Sequence, residues 1–79
     1  MRFVRQQLTV GTRVLVSGAC GGWRADSRGV ICAGPEPVQT MHGEDYFYWV
    51  QFDSPQYDVS NDGPYSKAQI LSRCLSTEA

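Results

Sequence analysis

The only histidine of this chain, His42, is the first residue to consider for acid–base chemistry. A catalytic base needs a nucleophile or an orienting acid within hydrogen-bond reach. Glu44 and Asp45 are close in sequence, but no serine or cysteine accompanies them in a pattern typical of nucleophilic catalysis. The sequence therefore predicts no catalytic residue, and it predicts an exposed loop position for His42.

Two sets of residues have the side chains of a metal site but not its spacing. They are three aspartates and three cysteines: Asp53, Asp58 and Asp62, and Cys20, Cys32 and Cys74. A calcium loop has oxygen ligands at alternate positions and a closing glutamate, and zinc knuckles contain Cys-x-x-Cys pairs. We therefore predict no metal and no cofactor. The odd number of cysteines favours reduced, partly buried thiols, and a site joining them with His42 is the alternative.

Aromatic side chains are the better candidates for function. Two tryptophans and four tyrosines are more amphipathic rings than one small core can hold. Such rings dominate contact energies when they are desolvated against a partner. We predict a ligand groove formed by Trp23, Met41, Tyr57 and Tyr65.

The stretch from Tyr46 to Phe52 predicts a strand that is apolar on both faces, because successive side chains of a strand point to opposite sides. Tyr48, Val50 and Phe52 are expected to point into the core. They would meet apolar residues of the other strands, namely Val14, Val16, Val30 and Ile70. Phe47 and Trp49 then lie outside, where a second protomer or the N-terminal segment would cover them. These two residues are the candidates for self-association.

Composition excludes several classes of protein. A hydrophobic content of 42% with 19% charged residues indicates a folded globule. No apolar run approaches the roughly 18 residues of a membrane span, so we expect no membrane association and a cytoplasmic location. The net charge of −1 gives no general attraction to nucleic acid. Expected partners are a second copy or another protein, and a small-molecule ligand is an alternative.

Turn residues recur about every ten positions, a rhythm typical of a small all-β barrel. The predicted domain covers residues 10–75, between an N-terminal segment or edge strand (1–9) and a tail (76–79). Predicted strands are 13–17, 28–33, 45–53, 57–60 and 70–75, with an extra strand at 3–8 as an alternative. A helical turn is predicted at 66–69, with Ser66 as its N-cap. The long loops 18–27 and 34–44 are expected to carry function.

Several motifs resemble the small SH3-like barrels. These are Gly-x-Arg-Val near the start, Gly-Val-Ile in the second strand, Tyr-x-Val-x-Phe in the third and Tyr-Ser-Lys-Ala-Gln-Ile-Leu near the end. The resemblance implies a five-stranded barrel with one helical turn before the last strand. It also implies a ligand surface between the first long loop and the turn before the last strand, which would bring Trp23 near Tyr65.

Length and layout are also similar to the plasmid-borne type II dihydrofolate reductases, which are encoded on mobile gene cassettes. The similarity lies in the segment from Val10 to Val14, in Trp23, and in Tyr65 leading into Ala68 and Leu71. Of that family's Val-Gln-Ile-Tyr motif only Tyr65 is present here. The main prediction is therefore a non-enzymatic binding or accessory module that self-associates. An oligomeric pore enzyme binding folate and nicotinamide is the first alternative, and a nucleic-acid-binding barrel is the second.

Overall fold

The computed structural model describes residues 8–17, 22–23, 27–41 and 43–77. These residues form one antiparallel sheet of five strands: β1 (Arg13–Val16), β2 (Arg28–Thr40), β3 (Gly43–Gln56), β4 (Tyr65–Leu71) and β5 (Leu75–Thr77). The strand order is β4-β3-β2-β1-β5. The only helical element in the described residues is a 3₁₀ turn, Ser72–Cys74, directly before β5. The predicted all-β fold, with five strands and a short helical turn before the last, is confirmed.

The hairpin of β2 and β3 is much longer than the sequence predicted. Residues 34–40, expected in a loop, continue β2, and β3 already begins at Gly43. The register between the two strands shifts between Ile31 and Ala33 and again between Ala33 and Glu36. Such bulges break the alternation of apolar and polar residues while the strand continues. The prediction of a loop at 34–44 is therefore wrong. The strand continues there without the regular alternation of apolar and polar residues by which a strand is recognised in a sequence.

The end of the chain also differs from the prediction. Residues 57–60 form a loop with a single β-bridge between Trp23 and Asp58 instead of a fourth strand. The segment 66–69, predicted as a helical turn, lies within β4, where Ala68 pairs with Val50. Pairing with the long strand β3 therefore overrides the local preference for a turn. The helical turn follows at 72–74, and the closing strand is β5 rather than 70–75.

The core lies on one face of the sheet, and one predicted member is absent from it. Its buried residues are Val14, Val16, Ile31, Tyr48, Val50, Phe52, Ile70 and Cys74. Val30, predicted to point inward, is half-buried opposite Gln51, and Ile31 takes its place opposite Val50. The inward position before Ile31 belongs to Gly29, which pairs with Phe52. A Cβ at Gly29 would lie 2.3 Å from the carbonyl oxygen of Gln51, so the backbones of β2 and β3 approach each other closely at this glycine.

Two chemical features of the core bear on the sequence predictions. Cys32 is a half-buried free thiol, whereas Cys74 is disulfide-bonded, so the prediction of a reduced thiol is wrong for Cys74.

Cys20 and His42 lie outside the described residues, as does most of the alternative strand at 3–8. In the described part of the chain, no helix has the length and apolar character needed to cross a membrane.

Candidate functional site

Trp23 connects the core to the surface. Its ring lies 5.1 Å from that of Phe52, which is buried, and 5.4 Å from that of Tyr65, which it meets edge to face at 83°. Edge-to-face packing is a favoured arrangement of aromatic rings. The expectation that Trp23 and Tyr65 lie together is confirmed, although the two residues are 42 positions apart in the sequence.

The loop between β3 and β4 fixes the position of Trp23 through the backbone. The amide of Val59 donates to the carbonyl of Gly22 at 3.1 Å, next to the bridge between Trp23 and Asp58. Within the loop, the Asp58 carboxylate accepts hydrogen bonds from the amides of Ser60 and Asp62 at 2.9 and 3.0 Å. Aspartate stabilises turns in this way. The loop is therefore held by its own hydrogen bonds, and it holds the segment that carries Trp23.

Tyr65 has a polar partner at its exposed end. Its hydroxyl donates a hydrogen bond of 2.5 Å to the carboxylate of Asp62. This hydrogen bond raises the pKa of Tyr65 above its ordinary value of 10.0, with smaller contributions from desolvation and from the charges of Asp62 and Asp58. The phenol therefore stays neutral at physiological pH, and its O–H is directed at a carboxylate.

The surface around Trp23 is rich in exposed apolar groups. Tyr57 is 46% exposed, Val59 61% and Tyr65 37%. An open depression of about 190 Å³ borders Trp23. It is lined by Gly22 and Trp23 and by residues of β1, β3, β4 and the 3₁₀ turn: Val16, Phe47, Gln69, Ile70, Leu71 and Cys74. Exposed rings next to a shallow apolar depression are features of a surface that binds a partner. We call Trp23, Tyr57, Val59 and Tyr65 the aromatic surface.

Met41 does not join the other candidates for the ligand groove. It lies in the turn just before Gly43, the first residue of β3, and is 91% exposed. Tyr65, in contrast, pairs with Gln56, the last residue of β3. Met41 and Tyr65 are thus at opposite ends of the longest strand. The prediction included Met41 because residues 34–44 were expected to form a long loop that carries function.

The two self-association candidates differ in exposure. Trp49 is 37% exposed, and the ammonium of Lys67 lies 5.7 Å from its ring centroid, a distance typical of a cation–π contact. Phe47 is half-buried opposite Leu71 on β4. Trp49 is therefore the main apolar group on the outer face of the sheet, and Phe47 contributes less surface than the sequence predicted.

A second open cavity, of about 230 Å³, lies along the β2–β3 hairpin and is a weaker candidate. Asp45 is one of its lining residues, but the carboxylate of Asp45 accepts hydrogen bonds from the amide of Tyr46, the hydroxyl of Ser72 and the guanidinium of Arg73. Arg73 also donates to the hydroxyl of Thr40 at 3.0 Å. Because these hydrogen bonds join parts of the fold, we assign this network to structure rather than to ligand binding.

Sequence reasoning missed three contributors to the aromatic surface. Phe52 was predicted only as core, yet its ring supports Trp23. Val59 and Asp62 were assigned to a short strand and a turn, yet one adds exposed apolar area and the other binds the Tyr65 hydroxyl. Their roles depend on the loop between β3 and β4, for which the sequence offered only turn residues as a signal.

No metal site emerges from the described residues, among which no three His, Cys, Asp or Glu side chains come together. Comparison of the chain with protein-family models, curated proteins and solved structures found no match. The function of this chain is therefore inferred from its own residues.

Proposed function

We propose that this protein is a non-enzymatic binding module of the SH3-like barrel type, and that it binds a segment of a partner protein on the aromatic surface. The observation that carries the proposal is the position of Trp23, which packs between the buried ring of Phe52 and the exposed ring of Tyr65. A surface tryptophan anchored in this way keeps its orientation without a ligand. Preorganisation of this kind reduces the entropy lost on binding.

The strand order and the 3₁₀ turn before β5 agree with the SH3-like resemblance of the sequence motifs. In this reading Trp23 comes from the loop between β1 and β2, and Tyr57 and Tyr65 come from the ends of the loop between β3 and β4. Aromatic-lined grooves of small barrels suit extended, proline-rich peptides, because such peptides are already extended and offer flat apolar faces to the rings. A proline-rich segment is therefore the partner class that we propose.

The proposal is tested with synthetic proline-rich peptides, with and without flanking arginines, titrated into the protein while tryptophan fluorescence is followed. The variants Tyr57→Ser and Tyr65→Ser should each weaken binding about 5- to 30-fold, the range expected for loss of an aromatic contact. Met41→Ser is the matched control, because Met41 is an exposed apolar residue at the other end of β3. Equal binding by all three variants, or no binding of any peptide, would refute the proposal.

Two assays on the same purified protein test the pore-enzyme and nucleic-acid alternatives. Consumption of dihydrofolate with reduced nicotinamide cofactor would replace this proposal by the pore-enzyme alternative. Binding of single-stranded nucleic acid that falls steeply as the salt concentration rises would replace it by the nucleic-acid alternative. Neither activity is expected from a module that acts through uncharged rings.

A further inference from the structure

The outer face of the sheet carries a second surface, which adjoins the depression beside Trp23 through Gln69. Cross-strand pairing places Ala33, Trp49 and Gln69 in one row across β2, β3 and β4. The side-chain amide of Gln69 donates to the carboxylate of Glu36 at 3.2 Å, although β3 lies between their strands. This hydrogen bond therefore passes over β3, and it confirms that both residues lie on the same side of the sheet as Trp49. We call this surface the Trp49 face.

Charged residues occupy two opposite corners of the Trp49 face. Glu36 pairs with Phe47 in the row on one side of Trp49, and Lys67 pairs with Gln51 in the row on the other side. Glu36 is on β2 and Lys67 is on β4, so a diagonal that joins them passes over Trp49. Both are exposed, and within the described residues neither forms an ion pair of its own.

We propose that two copies of the chain associate through their Trp49 faces around a twofold axis. This axis lies in the plane of the interface, passes through Trp49 and is perpendicular to the diagonal from Glu36 to Lys67. Rotation about the axis places Glu36 of each copy over Lys67 of the other. The two Trp49 rings meet at the centre. With strands about 4.8 Å apart and a rise of about 3.4 Å per residue, strands of the two copies then cross at about 70°, which is nearer the orthogonal than the aligned arrangement of packed sheets. The contact is isologous, so its two ion pairs are identical.

The chain's own N-terminal segment is a poorer occupant of this face. The first described residue, Leu8, donates its amide hydrogen to the hydroxyl of Tyr48 at 2.9 Å. Tyr48 is 1% exposed and points into the core, away from Trp49. The chain thus enters the described fold on the core side of the sheet. A second copy meets the Trp49 face directly, and its charges match.

The size of the face determines the strength of the contact. Three strands spaced about 4.8 Å apart, with three outward residues on each, present about 300 Å² including side-chain margins. A stable interface of standard size buries about 800 Å² on each partner. The dimer is therefore weak, and it forms only at high protein concentration.

The test is sedimentation velocity over a concentration series up to about 1 mM, applied to the wild type and to two charge variants. The variants Glu36→Lys and Lys67→Glu each give a like-charge contact in both ion-pair positions of their own homodimer. We expect each to self-associate about tenfold more weakly than the wild type. An equimolar mixture of the two variants restores both ion pairs, because one copy then carries two lysines and the other two glutamates. The mixture should associate as strongly as the wild type.

Glu44→Lys is the matched control, because it makes the same change of charge at an exposed position of β3 near the hairpin turn. It should leave association unchanged, whereas Trp49→Ser should abolish it; circular dichroism of every variant checks the fold. A wild type that is monomeric at 1 mM would overturn the proposal. So would a dimer that neither charge variant weakens, or a mixture that associates no better than its components.

Discussion

Gly29 is the position where a single methyl group should damage the fold most. It lies in the inward row of β2, between the buried residues Val14 and Phe52 with which it pairs. An added Cβ would lie 2.3 Å from the carbonyl oxygen of Gln51 and 2.7 Å from a methyl group of Val50. The first of these atoms belongs to the backbone of the neighbouring strand, so rotation of a side chain cannot relieve the contact.

The cost of Gly29→Ala follows from this geometry. Real Cβ atoms essentially never approach closer than 3.0 Å, so β2 and β3 must separate locally by about 0.7 Å. A hydrogen bond of about 2.9 Å lengthened by this amount exceeds the distance at which it still contributes. Loss of one or two ladder bonds at about 1 kcal/mol each, with about 1–2 kcal/mol for overpacking, gives about 3 kcal/mol. A chain of this length has about 4–12 kcal/mol of stability in total.

Urea unfolding followed by tryptophan fluorescence measures this effect. Gly11→Ala is the control, because the same methyl group would meet no atom within 4 Å there. Its cost comes only from a φ of +96° and should be about 1 kcal/mol. If Gly29→Ala is no more destabilising than Gly11→Ala, the close approach of the two strands is not a constraint on the fold. If Gly29→Ala does not fold in buffer alone, a stabilising osmolyte is added to both variants, and their urea unfolding is compared under that condition.

Three further outcomes can be checked on the same protein. Tyr48→Phe removes a hydroxyl that accepts a backbone hydrogen bond and should lower the free energy of unfolding by about 1 kcal/mol in urea titrations. In a near-ultraviolet titration Tyr65 should ionise above pH 10.0, and Asp62→Asn should move its pKa back down. Because the folded pKa is raised, the contribution of Tyr65 to stability is complete below its ordinary pKa and is lost as pH rises through the folded value. A thiol reductant should lower stability by about 2–4 kcal/mol through the disulfide of Cys74, whereas Cys32→Ser should have little effect.

The sequence predicted the third strand well because its alternation is regular. Tyr48, Val50 and Phe52 are all buried, as expected for one face of a strand. The second strand was predicted less well, since its apolar residues Val30 and Ile31 are adjacent and either could face the core. Gly29 decides between them, because it takes the crowded inward position and leaves the next one to Ile31. The crowding at Gly29 comes from atoms of β3, so the sequence of β2 alone does not reveal it.

The candidate site was predicted only in part, again because some of its residues are placed by tertiary structure. The SH3-like resemblance placed Trp23 near Tyr65, because it concerned the arrangement of loops around a barrel. It could not place Met41, whose position depends on how far β2 continues past its bulges. Aromatic residues can be counted in a sequence, but which of them lie together on the surface depends on which ends of the strands meet.

The buried carboxylate of Asp45 explains why the helical turn lies later than predicted. A buried charge has to be paired, and the partners of Asp45 are Ser72 and Arg73, the first two residues of the 3₁₀ turn. The segment Ser66–Gln69 remains available for pairing with β3, and β5 follows the turn at once to pair with β1. Arg73 also binds Thr40, so the same network holds the end of the β2–β3 hairpin. The hairpin end of the sheet is thus fixed by polar contacts within the fold. The loop between β3 and β4 at the other end carries exposed rings, and we place ligand binding there for this reason.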